Sequence, residues 1–164
     1  MSRSGYSDDL DQWDLIRWRG QVASAIRGAR GQAFLRELLA ALDAMPEKRL
    51  VKQEFEADGE VCTLGCIART RGVDMSKFDP EDCEVGHDIG AALGIAQQLA
   101  REIMFENDDF YVWDQSQGRI RDDAREAERR WKYMRKWVAE RIRVTPEEAG
   151  AVEIEETAQG KHDE

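Results

Sequence analysis

From Phe34 to Met45 apolar residues recur three and four positions apart, at Phe34, Leu35, Leu38, Leu39, Ala41, Leu42 and Met45. Only an α-helix gathers that spacing onto one face. Pro46 closes the run, because a proline ring cannot continue a helix interior. The spacing predicts a helix over Gln32–Ala44 with one wide apolar side that must be buried against other elements. A chain built around such a segment, with the same period elsewhere and almost no two-residue alternation, folds as packed helices.

The period returns along the chain. Leu10, Trp13, Ile16 (or Arg17), Val22, Ala23 and Ile26 predict a first helix, with Ser7 or Asp9 as its N-cap. Gly28 and Gly31 bracket the connection to the second helix, so the two should form an αα-hairpin. The stretch 50–57 alternates weakly and reads as a strand or a helix, and Asp58-Gly59 marks a turn. Val61, Leu64, Ile67 and Ala68 predict a helix over 60–70 that Gly72 caps, followed by a loop over 74–82 carrying Pro80. Two short helices, 84–93 and 96–105, flank Gly94. An irregular excursion is expected over 107–118. Ile120, Ala124, Ala127, Trp131, Met134, Val138 and Ile142 then predict a long last helix over 119–143. The expected architecture is mainly α, a compact bundle of five to seven helices over residues 1–144. Residues 145–164, acidic and without periodicity, are expected to form a disordered tail.

At 164 residues the chain is long enough to bury a core of its own. No apolar run is long enough for a membrane span, and the first residues lack the apolar stretch of a secretory signal, so a cytoplasmic location is expected. Three cysteines suit reduced thiols better than a disulfide framework. The net charge of -10 is segregated. Residues 1–57 carry 9 basic and 9 acidic side chains, whereas residues 58–118 carry 4 and 13. Residues 119–144 reverse the balance with 10 and 5, and residues 145–164 carry 1 and 7. An acidic middle, a basic late helix and an acidic end follow.

The opening block resembles a family of uncharacterised proteins of bacteriophages and prophages. The resemblance rests on Arg3-Ser4-Gly5-Tyr6-Ser7-Asp8-Asp9, Ile16-Arg17-Trp18-Arg19-Gly20, Ala23-Ser24-Ala25-Ile26-Arg27-Gly28 and Gly31-Gln32-Ala33-Phe34-Leu35-Arg36-Glu37-Leu38-Leu39. Weaker echoes are Asp58-Gly59-Glu60-Val61-Cys62, Asp79-Pro80-Glu81-Asp82 and Glu106-Asn107-Asp108. It covers about two-thirds of the chain and implies a phage gene acting in bacterial cytoplasm, with no mechanism attached.

Four constellations are candidates for chemistry or binding. Cys62, Cys66, Cys83 and His87 form two pairs at helical spacing of four and offer the donor set of a Cys3His zinc site, although core packing explains the thiols more simply. Glu102, Glu106 and Asp109 share a helix face that suits Mg2+, but no second carboxylate array accompanies them. Residues 89–103 have the apolar positions and turn glycine of a helix-turn-helix, with Gln97, Gln98 and Arg101 as base-reading candidates. Glu102, Glu106, Asp108 and Asp109 offset that cation, so an ordinary helical hairpin is the simpler reading.

The fourth constellation is made of charge. Arg129, Arg130 and Lys132, with Trp131 and Trp137, sit on a basic-aromatic helix suited to an acidic partner or to the chain's own acidic middle. Asp74, Asp79, Glu81, Asp82, Glu84 and Asp88 could present carboxylates to a cationic, nucleic-acid-binding protein. No Walker loop, GxGxxG, HExxH or GxSxG is present, and no cofactor motif. His87 beside a cysteine is the sole route to a thiol or hydroxyl nucleophile, since His162 lies in the tail. The expectation is a non-enzymatic phage accessory protein that binds a host or phage protein, as an inhibitor of a nucleic-acid-handling or defence complex. The alternative is a helix-turn-helix DNA-binding regulator.

Overall fold

The computed structural model describes residues 3–4, 11–109 and 123–144, the side chains of 109, 123 and 124 excepted. Six α-helices lie among the described residues: α1 (Gln12–Arg27), α2 (Ala29–Ala44), α3 (Thr63–Arg71), α4 (Val85–Ala92), α5 (Gln97–Asp109) and α6 (Asp123–Arg141). A minimal hairpin, β1 (Glu56–Ala57) against β2 (Glu60–Val61), precedes α3, and one 3-10 turn covers Met75–Lys77. The mainly helical bundle is therefore what the periodicity dictates. Residues 145–164, the expected tail, and 110–118, most of the expected excursion, lie outside the described residues.

Local chemistry explains the boundaries. Asp11 caps α1, its carboxylate accepting from the Asp14 N–H at 2.9 Å; Ser7 and Asp9, the expected caps, are not described. Gly28 alone separates α1 from α2. The corner is closed so tightly that a Cβ on Gly31 would stand 1.9 Å from the Ala25 carbonyl oxygen. Asp58 and Gly59 both take positive φ, 51° and 82°, the geometry of a two-residue hairpin turn. The weakly alternating stretch before them is neither a full strand nor a helix: residues 52–55 bend, with Gln53 at φ 62°, and only Glu56–Ala57 pair as strand, while α3 begins three residues later than its periodicity suggests. Cys62 caps α3 through its sulfur, which accepts from the Gly65 N–H at 3.4 Å, and Gly72 ends it in the left-handed conformation.

The core runs through every layer. Phe34, Leu35, Leu38, Ala41 and Leu42 of α2 pack with Leu64, Ile67 and Ala68 of α3 and with Leu99, Ile103 and Met104 of α5. Met134, Trp137 and Val138 of α6 complete it. α6 lies antiparallel along α2, because Arg135 bonds Asp43 near one end while Gln32 bonds the Arg141 carbonyl and the Arg143 N–H near the other. α1 is different: of its periodic apolar residues only Val22 is buried, whereas Trp13 and Ile16 face outward with 74% and 54% of their surface exposed. It rests on α5 and α2 as an outer layer.

Candidate interaction surfaces

The segment from Asp74 to Asp88 connects α3 to α4, and all six candidate acids on it, Asp74, Asp79, Glu81, Asp82, Glu84 and Asp88, are exposed. The carboxylates of Asp74, Asp79 and Asp82 bond within their own turns. Asp74 accepts from the Ser76 N–H and hydroxyl, Asp79 from the Glu81 N–H, and Asp82 from the Glu84 N–H. The hydrogen bonds from Ser76 hold the Asp74 carboxyl below its usual range. Asp74 lies 3.9 Å from Lys77 and Asp88 3.0 Å from His87. Asp79, Glu81, Asp82 and Glu84 have no ion-pair partner among the described residues. The sequence left open whether the basic α6 would neutralise this segment. Among the described residues Arg130, Arg135 and Lys136 pair instead with Glu126, Asp43 and Glu140.

The candidate residues of α6 divide into two groups. Arg129 and Lys132 are exposed and share a face with Arg125 and Lys136 at spacings of four, three and four. Arg130, Trp131 and Trp137 are a correction, because they belong to the interior. Arg130 is 3% exposed and donates to the carbonyls of Asn107 and Leu50 at 2.9 and 3.0 Å, with Glu126 at 2.5 Å. Trp137 is buried beneath the Arg141 guanidinium, 3.9 Å from its ring. Trp131 is half-buried and donates its indole N–H to the Leu42 carbonyl at 3.1 Å. A charged group this deep is kept only where its donors find acceptors; the bonds of Arg130 and Trp131 and the packing of Trp137 fasten α6 to the core.

A short turn over residues 93–96 joins α4 to α5. Gly94 takes φ 65° in the turn. Gly90 lets the helices meet, since a Cβ there would lie 3.1–3.2 Å from the backbone of Ile95 and Gln97. The reading positions, however, are engaged by α1. Gln98 donates to the Gln21 side chain at 3.3 Å, and Arg101 lies 5.8 Å from the Trp18 ring and donates to the Cys83 carbonyl at 3.3 Å. Gln97, Gln98 and Arg101 are all half-buried. The convex, exposed reading face that DNA recognition needs is not presented in this conformation.

The remaining candidates do not converge. Cys62 and Cys66 are buried while Cys83 is exposed, and His87 is exposed against Asp88. No group of three or more metal-ligating side chains forms among the described residues. Burial, with the nearby Cys62 sulfur, pushes the Cys66 thiol up to about 11, the opposite of an activated nucleophile. Glu106 accepts a short hydrogen bond from Tyr133, whose hydroxyl is held protonated by burial and by that bond. Asp109, the third carboxylate of that set, has no described side chain. An open groove of about 500 Å³ lies where α1, α2 and α5 meet. Arg30 is its one ionisable lining residue among those described.

Sequence reasoning missed a buried polar network. Arg3, 7% exposed, donates twice to Asp108 at 2.6 and 2.8 Å and to the Glu54 carbonyl at 2.9 Å. Its guanidinium also lies 4.8 Å from the Phe55 ring. Burial opposes that charge, but the Cys62 sulfur and the Asp108 carboxylate more than offset it and keep Arg3 firmly protonated. Next to Asp108, Asn107 accepts from the Thr63 N–H and hydroxyl at 3.0 and 2.8 Å and donates to the Val51 carbonyl.

No helix among the described residues is long and apolar enough to cross a membrane. No family model matches the chain, and no curated protein or solved structure is similar to it.

Proposed function

We propose that this chain is a non-enzymatic bacteriophage protein that acts by binding a cationic protein surface through the segment from Asp74 to Asp88. The observation that carries this reading is the set of exposed carboxylates at Asp79, Glu81, Asp82 and Glu84, borne on hydrogen-bonded turns with no ion-pair partner among the described residues. Fixed, unscreened charge of one sign attracts and orients a partner of the other sign. A host protein that handles nucleic acid presents such a cationic surface, and an acidic mimic would occupy it, which gives the inhibitory form of the hypothesis. The non-enzymatic part is supported by the dispersal of thiols, histidine and carboxylates and by a groove that offers one guanidinium.

The test is affinity capture from host lysate with the full chain and with the Asp79→Asn, Glu81→Gln, Asp82→Asn, Glu84→Gln variant. Recovery of one stoichiometric, basic polypeptide by the wild type and its loss with the variant is the expected result. Equal recovery by both, or no stoichiometric partner, would count against the reading.

A second reading, a DNA-binding regulator, draws support from the geometry at Gly90 and Gly94. It requires α1 to leave Gln98 and Arg101. A gel shift at low salt distinguishes it: binding that weakens on Arg101→Ala supports it, and no shift at low salt, where phosphate contacts are strongest, removes it.

A further inference from the structure

We infer that two copies of the chain associate through the outward face of α1, packed antiparallel. Trp13, Ile16, Arg17 and Gly20 lie at successive spacings of three, one and three and are all exposed, so they share one side of the helix. Trp13 and Ile16 are among the few large apolar side chains the described surface leaves in solvent. Most comparable residues are drawn into the core, so a tryptophan 74% exposed on a regular helix is a side chain with little cover among the described residues.

Self-complementarity identifies the second copy as that cover. The seam is large at one end and empty at the other: Trp13 and Ile16 stand in its first half, and a Cβ placed on Gly20 meets nothing within 4 Å. With the helices antiparallel and the two-fold axis passing between Ile16 and Arg17, Trp13 of each copy lies over Gly20 of the other. The aliphatic stem of Arg17 then covers Ile16. Charge agrees with shape. Asp11 and Asp14 lie before the proposed axis and Arg17 and Arg19 after it, so the antiparallel arrangement sets the acids of each copy toward the cations of its mate. A parallel pair would stack Trp13 on Trp13 and Asp14 on Asp14. The Asp14–Arg17 pair within one helix, 3.2 Å and exposed, is free to exchange partners at little cost. Two turns of apolar contact per copy place the interface at the small end of the protein range, so the association is reversible and concentration-dependent. It uses none of the acids from Asp74 to Asp88 and is independent of their role.

Sedimentation equilibrium of the full chain over a dilution series tests it. The expected result is a monomer–dimer equilibrium that high salt weakens. Ile16→Arg should leave the chain monomeric with an unchanged melt, since the side chain is exposed in the monomer. Gly20→Leu should weaken association by about tenfold or more by filling the notch, although leucine favours an exposed helix over glycine. A wild type that stays monomeric to its solubility limit overturns the proposal. A dimer indifferent to both substitutions also overturns it, as does a monomer that instead binds neutral lipid vesicles through Trp13.

Discussion

Arg3 and Asp108 touch with 2% and 4% of their side chains exposed, so the worth of the pair depends on what is left when one partner is removed. In Asp108→Ala the guanidinium keeps the Glu54 carbonyl but loses both charged bonds in a place that water does not reach. The expected cost is about 3–5 kcal/mol in a urea titration, whereas Arg3→Leu with Asp108→Leu should cost much less than the two single changes summed. Cys66 supplies a second residue-level test, through pH. Its thiol ionises near 9.0 when exposed and near 11 when folded. The folded state therefore favours the neutral form: the contribution is complete below 9.0 and is lost as pH rises from there through about 11. Linkage sets its ceiling at about 2–3 kcal/mol. Urea titrations on either side of that window should show a decline for the wild type and a shallower one for Cys66→Ala, which cannot ionise.

Glycine has opposite meanings in α1 and at the start of α2. At Gly31 a methyl group would collide with the Ala25 carbonyl, backbone that cannot rotate away, so Gly31→Ala must prise the corner apart. At Gly20 the space is open. Thermal melts of dilute protein should show Gly31→Ala losing about 3 kcal/mol and Gly20→Ala gaining up to about 1 kcal/mol. The contrast marks what could be read from the sequence. Apolar spacing located each of the six helices, because burial on one face leaves a period that no other structure produces. Gly28 and Gly94 likewise located the breaks between helices. Spacing could not say that α1 turns Trp13 and Ile16 outward, since a stripe that packs on a partner and one that packs on the core have the same spacing. Composition could not tell whether Arg130, Trp131 and Trp137 serve a partner or the core: a guanidinium bonding two carbonyls and one bonding solvent look alike in sequence. The pairing of Arg3 with Asp108 joins positions 105 apart and has no periodic signature at all.

Across the whole molecule, charge is arranged against stability at one edge and for it elsewhere. The Arg135–Asp43, Arg71–Glu37 and Arg49–Glu60 pairs cross between elements, and the bonds from Arg71 hold the Glu37 carboxyl below its usual range. The edge from Asp79 to Glu84 has no such pair among the described residues. Neutralising its four acids takes the net charge from -10 to -6. Two effects then compete. Mutual repulsion is relieved, while the favourable placement of negative charge before the first turn of α4 is lost, an effect of about 0.3–1 kcal/mol at an exposed helix start. The amides keep the oxygen that Asp79 and Asp82 offer to the Glu81 and Glu84 N–H groups, so the turns should persist. The expected outcome is a melt within a few degrees of the wild type, with a smaller gain in stability on adding salt, because less repulsion remains to be screened. Differential scanning calorimetry at low and high salt measures both. A large loss of stability would mean that these carboxylates hold the fold together, and the partner-binding reading would lose the observation on which it rests.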